Sequence, residues 1–317
     1  MVIQAFESSL SDDWDAFITQ SFNGTFLHSR RFLSYHQDRF KDLSLLFRDS
    51  SDKIVALLPA AQSPHSESDV ISHPGITYGG LITSDKCKGG EVVLALESAS
   101  THYKNRGYER LLYKAIPHIY HSIPAQDDLY ALFKLNATRY RSDLSSSINL
   151  TNRGRISSRR KRSLKKAIKS GVDTSSSLEH LEALWTVVSK NLQDKYNKKP
   201  VHSLAEIRSL ADLFPSNIEI NVGIHKQQVI AGILLFKSSP VVHAQYIAAS
   251  KLGQQLNALD LLFESSIANA KEEGYQYFDF GISNEEEGQV LNNGLYGFKS
   301  EFGAGGVTHD FYELTLS

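Results

Sequence analysis

The chain has 317 residues, 41% of them hydrophobic, with 34 Lys and Arg against 35 Asp and Glu. That length exceeds what one hydrophobic core usually supports, so two domains of about 150 residues each are expected. The only cysteine, Cys87, excludes an internal disulfide framework and a Cys-based zinc site, and a reducing cytoplasm is the simplest location. The start, "MVIQAFESSLSDDWDAF", lacks the basic and apolar regions of a secretory signal, and no apolar run approaches the roughly 20 residues of a membrane span.

In chain order, a strand-like run at 71–83, "ISHPGITYGGLIT", precedes a helix that ends at Gly107, followed by the strand "YERLLYKAI". Within "SHPGITYGG", Pro74 and three glycines imply a turn and a close backbone approach. His73 there is a candidate general base and Tyr78 a candidate substrate contact. His118 and His121 have the spacing of a metal pair but no acidic or cysteine cluster beside them, so no metal is expected. From Arg153 to Gly171 the chain then carries nine basic residues and no acidic one. The remainder is therefore acidic, a pattern that points to one local anionic partner. Ile156, Leu164, Ala167 and Ile168 form an apolar stripe that predicts a docked helix, and Arg155, Arg159, Arg162, Lys166 and Lys169 make a separate basic face.

Helices follow near 177–194 and 203–213, strands near 217–224, 228–237 and 241–249, a helix near 255–273 and a strand at 275–281. An acidic loop, a short helix near 293–302 and a last strand, "GVTHDFYELTL", close the chain. Between the first two of these helices, "NLQDKYNKKP" gathers Lys195, Tyr196, Lys198 and Lys199 into a basic, aromatic loop that could grip a phosphate-bearing acceptor. Segment 93–108 aligns without a gap on 260–275, with identities at Leu94/Leu261, Glu97/Glu264, Ser98/Ser265, Lys104/Lys271, Gly107/Gly274 and Tyr108/Tyr275. Two copies of one strand-helix-strand unit are expected from that offset of 167.

This element order, with "FDFG" (278–281) followed by "GLYGFKSEFGA" (294–304), resembles the C-terminal half of FemABX-like GNAT acyltransferases. The first half, with "TFLHSRRFLSYHQDRF", "SHPGITYGGL" and "PAQDDLYALF", is similar to a subgroup associated with bacterial surface-polysaccharide synthesis. The resemblance implies an α/β (α+β) protein of tandem GNAT-like domains, each a mixed sheet flanked by helices. These would be an N-terminal domain at 1–150, the basic connecting helix at 151–171 and a C-terminal domain at 172–317.

It also implies a cytoplasmic enzyme that moves an acyl group, from acyl-CoA such as acetyl-CoA, to an amine or hydroxyl of an anionic acceptor. A nucleotide- or lipid-linked sugar is the acceptor expected, and DNA is not a partner. An aminoacyl group from charged tRNA is the second reading, and a non-catalytic protein that binds a polyanion or a membrane surface is the third. The usual glycine-rich pyrophosphate loop is missing, and "SKLGQQLNAL" stands in its place. Gly253, Gln255, Leu256, Asn257 and Ala258 are thus the donor-phosphate candidates, at the start of a helix whose N–H groups favour anions.

Lys299 matches the lysine of the family's Phe-Lys element, where a cation stabilises developing negative charge, and Phe298 beside it is a substrate contact. Asp279 points away from Phe278 and Phe280 by strand alternation, as a base or as a partner of Lys299. Tyr246 lies on the strand whose GNAT counterpart runs beside the acyl donor. Arg159 and Arg162 of the basic face complete the substrate contacts.

Overall fold

The computed structural model describes residues 1–316, the side chain of Tyr196 excepted. The chain forms two compact units, and neither is one run of sequence. Unit 1 comprises Met1–Leu144, Asn284–Val290 and the chain end from Thr308; unit 2 comprises Ser145–Ser283 and Leu291–Val307.

Unit 1 contains strands β1 (Val2–Ala5), β2 (Leu45–Arg48), β3 (Ile54–Leu58), β4 (Ala61–Gln62), β5 (Asp69–Ile71), β6 (Ile82–Thr83), β7 (Arg110–Lys114) and the first part of β8 (Thr138–Asn149). Its helices are α1 (Ser11–Gln20), α2 (Arg30–Leu33), α3 (Gly90–Lys104) and α4 (Asp127–Lys134). Strands β1, β2, β3 and β6 form an antiparallel sheet in that order. Apolar side chains such as Phe47, Leu58, Leu96, Tyr103 and Tyr113 make its core.

Unit 2 takes up β8 from Ser145 and continues through α5 (Ser158–Lys169), β9 (Asp173–Ser175), α6 (Leu181–Tyr196), α7 (Leu204–Leu213), β10 (Ile218–His225), β11 (Gln228–Ser238) and β12 (Val241–Ala249). Helices α8 (Lys251–Gln255) and α9 (Ala258–Glu272) then lead to β13 (Tyr277–Ile282). After a ribbon of β14 (Asn284–Glu285) and β15 (Val290–Leu291) come α10 (Asn293–Ser300) and β16 (Gly305–Thr315), whose later residues belong to unit 1. In unit 2 the strand order is β8-β13-β12-β11-β10-β9, all antiparallel except the parallel pair β12–β13. Phe263 of α9 packs on Phe278, Phe280, Phe298 and Phe302, and these five phenylalanines form one cluster with Ile233, Leu235 and Val242.

The duplication is visible in the hydrogen bonds. Helices α3 and α9, of 15 residues each, end alike: Gly107 and Gly274 take left-handed φ of 84° and 85°. The next N–H reaches back in both, from Tyr108 to the Tyr103 carbonyl at 3.1 Å and from Tyr275 to that of Ala270 at 3.0 Å. Each copy then forms a parallel ladder of the same length. Asp69, Val70 and Ile71 pair with Arg110, Leu111 and Leu112; Val241, Val242 and His243 pair with Tyr277, Phe278 and Asp279. The paired residues of β7 and β13 are 167 positions apart.

Three local expectations change. The run at 71–83 is not one strand: β5 ends at Ile71 and the chain is irregular until β6, because a side chain on Gly79 would collide with the Ser72 carbonyl as the loop folds back on itself. The helix expected at 255–273 starts at Ala258, after Asn257 takes a left-handed φ of 56° that separates it from α8. The basic helix docks through Arg160, Leu164 and Ala167, while Ile168 is 59% exposed. Arg160 fits inside because its guanidinium meets Asp260 and Glu301, both at 2.8 Å, and lies over the ring of Phe298.

Candidate active site

Strands β12 and β13 pair for three residues and then part after His243 and Asp279. Both have a local cause. On β12, Ala244 and Tyr246 face consecutive residues of β11, Leu235 and Leu234, which leaves Gln245 as the extra residue of a bulge. On β13, the pairing with β8 shifts between Asp279 and Ile282, where Gly281 has a φ of 77° closed to side-chain-bearing residues. Beyond His243 and Asp279 the two strands share no ladder, an opening suited to an extended, amide-bearing chain. Two buried polar atoms beside it, Gln245 Oε1 and Ser283 Oγ, have no hydrogen-bond partner among the described residues, which fits a polar ligand there.

At the fork sits a connected set of side chains. Asp279 is fully buried; its Oδ2 is 2.7 Å from His243 Nδ1, and its Oδ1 accepts from Ser145 Oγ at 2.5 Å. Lys299, brought in by α10, is only 3% exposed and donates to the carbonyls of Gly281 and Ile282 at 2.8 and 2.7 Å. Burial lowers its ammonium to about 8, against the field of Asp279. Lys299 thus clamps the departing end of β13.

The β12 bulge sets Tyr246 on the same face as His243, since their β11 partners, Leu234 and Phe236, are two residues apart. The Tyr246 hydroxyl lies 2.7 Å from His202 Nδ1 and accepts from the His202 N–H, and its ring meets Trp185 edge-on at 4.9 Å. Burial pushes the phenol to about 12, so Tyr246 holds the 198–203 loop as a neutral hydroxyl. Next to that loop is a cavity of about 690 Å³, lined by Trp185, Lys190, Lys198, Lys199, Val201 and Glu206 among others. Lys195 is exposed on α6 and does not line it, and the Tyr196 side chain lies outside the described residues.

In the α8–α9 segment, Gly253 is buried and fixed by packing, because a side chain there would strike the Ile230 carbonyl. Gln255 is exposed, Leu256 and Asn257 are half-buried, and Ala258 is buried at the head of α9. Asp260 stands in the first turn of α9, raised to about 6 by burial and opposed by Arg160. On α5, Arg159 is exposed near Glu301 at 3.9 Å, and Arg162 is exposed with no acidic partner within 4 Å among the described residues.

His73 and Tyr78 belong to a cluster within unit 1. His73 is buried at a left-handed φ of 63°, its ring 5.4 Å from that of His36, and Lys114 donates to its carbonyl at 3.2 Å. Burial, with His36, Lys114, Arg30 and His28 nearby, holds the His73 imidazole well below its usual range. Tyr78 packs on Tyr120 at 4.3 Å, and its carbonyl meets His28 Nε2 at 3.2 Å. His121 is bound to the Ile116 carbonyl, and no group of three metal-ligating side chains occurs among the described residues.

His243 and Ser145 are the residues that sequence reasoning missed. A lone histidine in "PVVHAQYIAAS" carries no signal until the parallel register sets it against Asp279.

Residues 152–289 match a family model described as an Acetyltransferase (GNAT) domain. No curated protein matches the chain in sequence. Among solved structures, FemX aligns with a TM-score of 0.68 at 12% identity over 98% of this chain and 97% of its own. The C-terminal domain of a putative lysylphosphatidylglycerol synthetase from Agrobacterium fabrum aligns at 0.57, 15% identity, 86% and 83%. A tandem GNAT protein from the clavulanic acid biosynthesis pathway, solved without AcCoA, aligns at 0.53, 9% identity, 100% and 98%. Residues 152–289 thus match a GNAT acetyltransferase domain, and the fold of the whole chain is similar to those of FemX and the tandem GNAT protein.

Proposed function

We propose that the protein transfers an acyl group from acyl-CoA, with acetyl-CoA the simplest donor, to an amine or hydroxyl of an anionic acceptor such as a nucleotide- or lipid-linked sugar in cell-envelope polysaccharide synthesis. The observation that carries this reading is the fork between β12 and β13, where the shared ladder ends at Asp279 and Lys299 binds the next β13 carbonyls. An acyl-CoA arm is an extended chain of amides and suits such edges. The head of α9, with Gln255, Leu256, Asn257 and Ala258, supplies backbone N–H groups for the donor phosphates. Lys299, held by the Gly281 and Ile282 carbonyls, supplies positive charge beside the acyl carbon, and Phe298 on the same helix is a substrate contact. Lys198 and Lys199, at the rim of the cavity beside the Tyr246-held loop, suit a phosphate on the acceptor. The buried free thiol of Cys87 suits a reducing, cytoplasmic compartment.

The exposed cationic face of α5, with Arg155, Arg159, Arg162, Lys166 and Lys169, favours one second reading, an aminoacyl group carried by tRNA. Thermal unfolding with acetyl-CoA, CoA and charged tRNA separates the two. Saturable stabilisation by acetyl-CoA, kept in Arg159→Glu/Arg162→Glu, supports the thioester donor. Stabilisation by charged tRNA alone, lost in that variant, supports the other, and stabilisation by neither sinks both.

A further inference from the structure

We infer that His243 is the proton-accepting catalytic residue of the fork, held in its working tautomer by Asp279 and Ser145 as positioning residues. This rests on the acyl-transfer reading above and adds the route of the proton.

Asp279 is fully buried, and both of its oxygens are engaged by His243 and Ser145, so it cannot meet an incoming acceptor. Lys299 as an ammonium has no lone pair to take a proton, and two of its three N–H groups go to the carbonyls of Gly281 and Ile282. Tyr246 and His202 are engaged with each other through the phenol and Nδ1. His243 differs from all of these. Its side chain is 13% exposed, its Nδ1 faces the Asp279 carboxylate, and its Nε2 has no hydrogen-bond partner among the described residues.

The carboxylate accepts the Nδ1 proton, which leaves the Nε2 lone pair as the basic site. Space beside the imidazole is kept by Gly281, where an added Cβ would come within 3.3 Å of His243 Cε1. His243 is also the last paired residue of β12, so its ring stands where the strands begin to part.

The step balances. As the acceptor nitrogen or oxygen bonds to the acyl carbon, its proton passes to His243 Nε2. Collapse of the tetrahedral intermediate breaks the bond from the acyl carbon to the donor sulfur, and the departing thiolate takes that proton back. Nothing is oxidised or reduced, and the imidazole returns to its starting state.

Two readouts test this. Nitrogen-15 NMR of the imidazoles should find His243 protonated at Nδ1 and unprotonated at Nε2, with that preference lost in Ser145→Ala and Asp279→Asn. Kinetics with acetyl-CoA as donor should show that His243→Gln lowers kcat at least 100-fold for a hydroxyl acceptor such as glycerol, with KM changed less than about threefold. Hydroxylamine, a neutral nucleophile that needs less help from a base, should lose less than about tenfold. An Nε2-protonated wild type, or a folded His243→Gln protein with unchanged kcat for glycerol, overturns the assignment and leaves the acyltransferase reading intact. A wild type that neither binds acetyl-CoA saturably nor transfers acetyl to either acceptor overturns both.

Discussion

Lys299 shows how far a single residue can depart from its sequence context. In "GLYGFKSEFG" it reads as a helix lysine, and an exposed one would tolerate Met within about 0.5 kcal/mol. Here it is buried on two carbonyls, so Lys299→Met should cost about 1–3 kcal/mol by leaving buried acceptors unpaired, as well as lowering kcat by roughly two to three orders of magnitude. Chemical denaturation and initial rates on the same preparation separate the two losses. A variant that keeps both stability and rate would remove Lys299 from clamp and mechanism alike. Arg160 carries the same lesson, since within a run of nine basic residues nothing distinguishes the one whose side chain is buried on Asp260 and Glu301. Strand alternation did reveal that Asp279 opposes Phe278 and Phe280, because that inference needs only a period of two.

Elements were legible where their ends are marked chemically. Gly107 and Gly274 announce the ends of α3 and α9, and the apolar runs from Ile218 to Ala249 announce the β10–β12 meander. Breaks set by tertiary contact were not legible: neither the left-handed Asn257 nor the irregular stretch after β5 is required by local propensity. The duplicated ends make a paired test. No atom lies within 4 Å of a Cβ added at Gly107 or Gly274, so Gly107→Ala and Gly274→Ala meet only backbone strain and should each cost about 1–2 kcal/mol. Gly253→Ala should cost well more, because its Cβ collides with the Ile230 carbonyl. Wild-type midpoints for Gly107→Ala and Gly274→Ala would contradict the shared left-handed cap, and a Gly253→Ala midpoint no lower than theirs would contradict the close packing on Ile230.

At the scale of the whole molecule, the sequence revealed a duplication but not that β16 carries the chain end back to unit 1. The two units should also respond differently to acid. In unit 1, burial lowers His28 and His121 to about 4 and holds His73 well below its usual range, so their neutral forms stabilise the fold above pH 6.5. That contribution is lost as pH falls from 6.5 toward 4. Asp128, raised to about 6 in the same unit, opposes it in part. In unit 2, Asp260 is raised to about 6 and favours folding as pH drops through that value. Hydrogen exchange between pH 6.5 and 4.5, corrected for intrinsic rates, should show protection falling in α3 and β7 before α9 and β12. The reverse order would contradict the buried-histidine account.

The most direct measurement of the central claim is amide chemical-shift mapping during titration with acetyl-CoA. Binding at the fork predicts saturable shifts at Ala244–Ile247, Phe280–Ile282 and the head of α9, the strand edges freed where β12 and β13 part. Shifts that saturate elsewhere in the chain while these amides stay unmoved would contradict the fork as the donor site.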